Sequence, residues 1–249
     1  MQLKLRDEIL DLCQYLKFTG IKKHFEEELE SASDYEDYLL KLLRYEVEEK
    51  EKCSVECRMR SAHFPYRKYL EDLEINELPE TMQQRLPELA TLDFIEKGKN
   101  LIMIGNPGTG KTHIALGLGI KACLQGYKVL YTTIPFLVTE LKECNSQKRL
   151  RYFQNRFEKY DLVIADELGY ISFDREGTEL LFNNLSLRAG RKSMIVTSNL
   201  TFARWTEVFI DPAITNALVD RLTHKSIIVD MNGDSYRLKE TLSLKEQLT

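Results

Sequence analysis

Residues 100–112 read NLIMIGNPGTGKT, an apolar run that enters a glycine-rich turn and leaves it on Lys-Thr. Gly105, Gly108 and Gly110 let the backbone curl so that successive N–H groups face inward, a concavity that side chains would obstruct. Lys111 adds a point charge suited to terminal phosphates, and Thr112 offers a hydroxyl suited to Mg²⁺. This is the pattern of a phosphate-binding loop, so Gly105, Asn106, Pro107, Gly108, Thr109, Gly110, Lys111 and Thr112 are the candidate nucleotide-binding residues. A structural glycine turn is the plainer alternative. The strand-like run 101–104 before the loop and the helix-like run 113–125 after it speak against that alternative, because the dipole of a helix starting there favours an anion at its first turn.

Working outward, 249 residues suffice for one α/β domain plus a smaller appendage. From residue 100 onward strand-like and helix-like segments alternate, which predicts a parallel sheet covered on both faces. Strands are expected near 101–105, 128–133, 161–166, 193–198 and 225–230. The third carries Asp166 and Glu167 to a strand end, where a doubly wound sheet binds its ligand. Beside a phosphate loop one carboxylate can hold the Mg²⁺ shell while the other orients and deprotonates water. An acidic strand-to-helix turn with Gly169 is the bland alternative. The fourth strand ends at Asn199, which could reach a γ-phosphate or the attacking water, or simply form a good turn.

Residues 1–64 read as helices: Leu5, Ile9, Leu12 and Leu16 recur at helical spacing, as do Tyr35, Tyr38, Leu39, Leu42 and Leu43. Ser33 ahead of Glu36 suggests a capping box. A solvated bundle face and a docking module for a partner protein fit this segment equally. Residues 65–98, with Pro65, Pro79 and Pro87, read as a connector with short helices.

Composition excludes several classes. Apolar residues make up 43% and charged residues 30%, and no apolar run approaches the roughly 18 residues of a membrane span. The start carries no basic-then-apolar leader, and the five scattered cysteines suit a reducing cytoplasm better than a disulfide framework. Cys53, Cys57 and His63 have poor spacing for zinc. The net charge of −4 hides eight Lys/Arg against three Asp/Glu over 121–160. There a helix over 136–141 is followed by Lys142, Lys148, Arg149, Arg151 and Arg156, either a patch for duplex DNA or a solvated hairpin with incidental charge.

Several longer stretches resemble one family. GNPGTGKTH at 105–113, LVIADELGYISFDREG at 162–177, MIVTSNLTFARW at 194–205, DPAITNALVDRL at 211–222 and GDSYRLK at 233–239 are similar to the IstB-like ATP-binding proteins. Upstream, AHFPYRKYLEDLE at 62–74 and LATLDFIEKGKN at 89–100 extend the likeness, leaving the first 60 residues least distinctive. These are transposition helper ATPases of insertion sequences, AAA+ proteins close to the DnaC helicase loaders. The resemblance implies an α/β AAA+ core at 99–249 with a parallel five-stranded sheet flanked by helices. A small helical N-terminal partner-binding domain at 1–64 would precede it, and no full C-terminal helical lid would follow, since 19 residues lie beyond Asp230.

It further implies Mg²⁺ and ATP as cofactors, with Asp166 and Glu167 as the Walker B carboxylates and Asn199 as the first sensor. Arg221 would reach the nucleotide of a neighbouring subunit, and Arg237 would be the second sensor arginine. For both arginines a surface ion pair, with Asp220 or Asp234, stays open. In initiator-type relatives the region between the second and third strands faces DNA, which draws Lys142, Lys148, Arg149 and Arg151 into the site. Expected partners are duplex DNA, a cognate transposase and further copies of the chain joined through the ATP site, in the cytoplasm with no membrane role. A helicase loader and a small-molecule P-loop kinase remain as rivals; the DREG and SNL segments favour the transposition helper.

Overall fold

The computed structural model describes residues 2–236 and 238, and these divide into two compact units, one up to Cys57 and one from Arg58 onward.

In the first unit, α1 (Gln2–Tyr15), α2 (Thr19–His24) and α3 (Glu28–Ser31) precede the first part of α4 (Tyr35–Ser61). Gly20 packs directly on α4, where a Cβ would lie 2.4 Å from the Tyr45 carbonyl oxygen. Buried Glu46 accepts hydrogen bonds from the Gly20 and Ile21 N–H groups at 2.8 and 3.1 Å, satisfying donors that the start of α2 leaves open. The cap of α4 lies one residue beyond the Ser33–Glu36 box expected from sequence. Asp34 accepts from the Asp37 N–H at 2.8 Å, and Asp37 accepts from the Ser33 N–H at 3.0 Å. Both Ser and Asp cap helices well, so the sequence offered two registers. Leu5, Leu12 and Leu16 of the first stripe, and Leu39 and Leu43 of the second, are exposed, whereas Leu42 is buried.

The second unit is built on the expected parallel sheet: β1 (Asn100–Ile104), β2 (Val129–Thr133), β3 (Leu162–Leu168), β4 (Ser193–Ser198) and β5 (Ser226–Asp230). The strand order is β2-β3-β4-β1-β5. Because strand–helix–strand crossovers are right-handed, the one connection running from β1 out to β2 sends its helix to one face, and those returning toward β5 send theirs to the other. Accordingly α7 (Lys111–Leu124) covers one face with Ile114 and Leu118. The opposite face is covered by α8 (Ile134–Ser146), α9 (Leu150–Phe157), α10 (Arg175–Arg188) and α11 (Pro212–Thr223). Strand residues alternate to match: Leu101, Met103, Ile164 and Ile195 face α7, and Ile102, Val163, Met194 and Val196 face the other layer.

The stretch expected as a connector is part of this second unit. It carries α5 (Glu80–Leu89) and α6 (Asp93–Glu96), whose Met82, Leu86, Leu89 and Phe94 are buried in the α7-side core. Three helix starts follow from local chemistry. Thr133 caps α8 by accepting from the Phe136 N–H, Asp174 caps α10, and Asp211 caps α11 ahead of Pro212, whose missing N–H costs nothing at that position.

Candidate active site

The strand order decides which residues meet. β4 lies between β1 and β3, so the phosphate loop after β1 and the carboxylates ending β3 flank the carboxyl end of β4. The connections leave β1 and β4 in opposite directions, which opens the crevice where such sheets bind ligands.

The loop is held from below by backbone. The Gly105 N–H donates to the Ser198 carbonyl at 3.1 Å, and the Met231 N–H donates to the Ile104 carbonyl at 2.6 Å. A Cβ at Gly105 would come 2.3 Å from the Met231 carbonyl carbon, so only glycine admits the two chains at this separation. Gly108 and Gly110 have φ of +84° and +90°, left-handed values that curl the loop. Lys111, the first residue of α7, is buried and donates to the Gly105 and Asn106 carbonyls at 2.7 and 2.6 Å. Thr109 donates to the Asn106 carbonyl at 2.9 Å, and Pro107 through Thr112 line the cleft.

Asp166 is 1% exposed, and a carboxylate so placed requires donors. Its Oδ1 accepts from the Thr112 hydroxyl at 3.2 Å and from the Thr197 hydroxyl; its Oδ2 accepts from the Tyr131 hydroxyl at 2.9 Å. Burial, reinforced by the Asp166 charge, pushes the Tyr131 phenol far above its usual range, so it stays a donor. In a regular strand Asp166 and Glu167 would point to opposite faces. Here β3 carries one extra residue against β4: Ala165 pairs with Val196 and Leu168 with Ser198, leaving Thr197 opposite both acids. Glu167 takes φ +65° in this bulge, and both carboxylates line the same cleft. Nothing in residue type or spacing announces the bulge.

The cleft encloses about 370 Å³. Its far wall comes from the stretch read as a connector, through Tyr66, Lys68, Leu73 and Leu78, residues to which the sequence assigned no binding role. The His113 ring nitrogen Nε2 lies 2.8 Å from the Tyr69 carbonyl, tying α7 to that wall. Tyr236 lines the remaining side: its N–H donates to the Gly108 carbonyl at 3.0 Å, and its hydroxyl donates to Glu74 Oε1 at 3.2 Å.

Of the other expected site residues, Asn199 lines the cleft, and its Oδ1 is buried without a hydrogen-bond partner. Arg221 is exposed on α11 and does not line the cleft of its own chain. Its guanidinium sits 4.4 Å from the Phe182 ring centre and donates to the Ser186 hydroxyl at 2.5 Å, rather than pairing with Asp220. Arg237 lies outside the described residues, as do residues 239–249 of the tail. Lys142 pairs with Asp174 at 2.7 Å, and its hydrogen bond holds that carboxyl below its usual range. Lys148, Arg149 and Arg151 are exposed at the turn between α8 and α9 and its start, with Arg149 over the exposed Tyr152 ring at 5.9 Å.

A Cβ at Gly108 would fall 2.1 Å from the Ser235 hydroxyl in a left-handed conformation that costs other residues about 1–2 kcal/mol. Gly108→Ala should therefore retain its far-UV circular dichroism and lose at least ~10-fold in affinity for a fluorescent ATP analogue, about 1.4 kcal/mol. Affinity within twofold of wild type would show that the loop does not need this curl.

Comparison with known proteins agrees with this geometry. Residues 13–243 match the family described as IstB-like ATP binding protein. A Pseudomonas aeruginosa protein named for ATP binding in insertion sequence IS21 is 35% identical over 237 residues, covering 94% of this chain and 89% of that protein. A Geobacillus stearothermophilus counterpart from insertion sequence IS5376 is 32% identical over 240 residues, covering 95% and 96%. Among solved structures, AMPPCP-bound DnaA from Aquifex aeolicus superposes with a TM-score of 0.55 at 22% identity, over 72% of this chain and 55% of DnaA. The DnaC helicase loader gives 0.51 at 15% identity, over 70% and 98%. These structural likenesses concern the fold, whereas the sequence matches span nearly the whole chain. The chain belongs to the IstB-like ATP binding protein family, on an AAA+ fold.

Proposed function

We propose that this ATPase is the DNA-binding helper of an insertion sequence, assembling on duplex DNA with ATP and acting with a cognate transposase. The observation that carries the reading is the meeting of phosphate loop, Asp166, Glu167 and Asn199 in one cleft, in a chain matched to the family over residues 13–243. A loader role rests on likeness of fold at 15% identity and has no separate support. Among the described residues no helix is long and apolar enough to cross a membrane, and the proposed site of action is the cytoplasm.

In this reading the loop N–H groups and Lys111 bind the phosphates of ATP. The Thr112 hydroxyl and Asp166 carboxylate, 3.2 Å apart at the end of the loop, form an all-oxygen donor set that fits Mg²⁺ and would hold it. Bound there, Mg²⁺ would offset charge on the phosphate oxygens. Glu167, exposed in the cleft, orients water and takes its proton, and Asn199, which lines the same cleft, helps to place that water or the γ-phosphate. Glu167→Gln should then keep ATP affinity and lose ~10²–10⁴ in turnover, whereas Asp166→Ala should weaken Mg²⁺-dependent binding. Normal steady-state turnover by Glu167→Gln would remove the base assignment.

Arg221 is proposed to complete a neighbour's site, which its exposure on α11, away from its own cleft, supports. An arginine acting in trans is worth about 10³ or more in turnover. Arg221→Ala should bind ATP but hydrolyse it poorly. Mixing it with Lys111→Ala should recover activity at mixed interfaces; no recovery at any ratio, with mixed assembly confirmed by light scattering, would dismiss the trans role. Arg237 is proposed as a second nucleotide-sensing arginine, and Arg237→Ala with unchanged ATP affinity and turnover would dismiss it.

For DNA, Lys142, Lys148, Arg149 and Arg151 are proposed as phosphate contacts that an oligomer repeats along its surface, so that weak contacts add up. Changing Lys148, Arg149 and Arg151 together to Ala should lower duplex affinity and flatten its salt dependence while leaving ATP binding intact. An unchanged slope in fluorescence anisotropy would move the contact elsewhere. The N-terminal unit is proposed to bind the transposase. Removing residues 1–57 should abolish transposase pull-down and spare ATP binding; retained pull-down would refute that.

A further inference from the structure

Two adjacent acids with different tasks need a device that holds them apart in geometry while keeping both in one cleft. The bulge in β3 supplies the arrangement, and the question is what holds it. Glu167 sits at φ +65°, a conformation that a residue with a Cβ adopts only when its surroundings impose it. Across the bulge lies Thr197, which is 2% exposed. Its Oγ1 accepts the Glu167 N–H at 3.1 Å and is also bonded to Asp166 Oδ1.

The direction of these bonds is fixed by chemistry. An amide N–H can only donate and an ionised carboxylate can only accept, so the hydroxyl must accept from Glu167 and donate its one proton to Asp166. A single oxygen thus joins the backbone of one acid to the side chain of the other. The β-branched side chain restricts χ1, which keeps that oxygen in place between them. Tyr131 offers a comparison from the other side of the carboxylate, because its hydroxyl bonds Asp166 Oδ2 at 2.9 Å, whereas the Thr197 hydroxyl bonds Oδ1 and the Glu167 N–H.

We propose that Thr197 is a positioning residue for ATP hydrolysis: its hydroxyl pins the bulge so that Glu167 faces the attacking water while Asp166 is fixed beside Thr112. This rests on the proposed roles of Asp166 and Glu167. Removing the hydroxyl leaves the Glu167 N–H without its acceptor and loosens the bulge, so that Glu167 is no longer held in its place in the cleft. Tyr131, whose hydroxyl bonds the other oxygen of Asp166, has the narrower effect of orienting the carboxylate proposed to face Mg²⁺.

The test compares Thr197→Val, Thr197→Ser and Tyr131→Phe with Glu167→Gln in the full-length protein. Thr197→Val should bind ATP within about threefold of wild type and lose ~10² in kcat with little change in KM. Its peptide containing Glu167 should exchange amide hydrogen faster, a readout that needs no turnover. Thr197→Ser, which keeps the oxygen, should recover kcat to within about fivefold and restore protection. Tyr131→Phe should raise the Mg²⁺ concentration needed for half-maximal binding of the fluorescent analogue while leaving exchange at Glu167 unchanged. Wild-type kcat in Thr197→Val, with Glu167→Gln inactive, overturns this proposal alone. Equal losses in the Val and Ser variants, with unchanged Tm, also overturn it. Normal turnover in Glu167→Gln defeats the base assignment and this proposal with it.

Discussion

A parallel sheet whose central strands are buried on both faces can place polar chemistry only at its strand ends. The middles of β1, β3 and β4 are apolar because α7 packs on one side and α8, α10 and α11 on the other. Polar side chains gather where the helices stop covering: Asp166 at the end of β3, Thr197 and Ser198 at the end of β4, and the loop after β1. Inserting β4 between the other two brings these ends together. The site is therefore a product of strand order more than of any one motif.

Burial then sets the demands on each group. Asp166 is almost wholly enclosed and is matched by three hydroxyl donors drawn from β2, β4 and α7, so its environment spans most of the sheet. Glu167, one residue on, is exposed. Adjacent carboxylates thus occupy opposite extremes of solvation, a division suited to one acid that faces a cation and one that exchanges a proton with water.

Much of this was legible in the sequence, for identifiable reasons. Buried parallel strands read as short apolar runs bounded by polar residues, so all five were placed to within two residues of their observed ends. The phosphate loop was legible because left-handed turns at Gly108 and Gly110 demand glycine. The bulge was not, since IADEL reads the same whether or not Glu167 leaves the ladder, and a left-handed glutamate follows from tertiary context. Nor were Tyr66 and Leu73 of the cleft wall, which approach the loop through packing on α7, where Gly117 meets Leu70, Gly119 meets Phe64 and His113 meets the Tyr69 carbonyl. The Ser33 cap was misplaced by one residue because Asp34 competes with it. Arg221 illustrates a different gap: an ion pair with Asp220 was open from the sequence, and an aromatic face on another helix holds the guanidinium instead.

The strand order also has a consequence for biosynthesis. β1 finds its two neighbours 94 and 126 residues further along the chain, as in the pairs Leu101 with Ile195 and Ile104 with Asp230. At about 5–20 residues per second, the ribosome needs roughly 5–25 s to supply them. Through that interval β2 and β3 can pair, but β1 has no partner, and the turn after it lacks the Ser198 and Met231 backbone contacts that shape it. The nascent chain must therefore carry an apolar strand in an unpaired state until β4 and β5 have been made. ATP cannot serve as a folding ligand before then, which makes this segment the natural point of engagement for chaperones and the hazard in any prematurely terminated product.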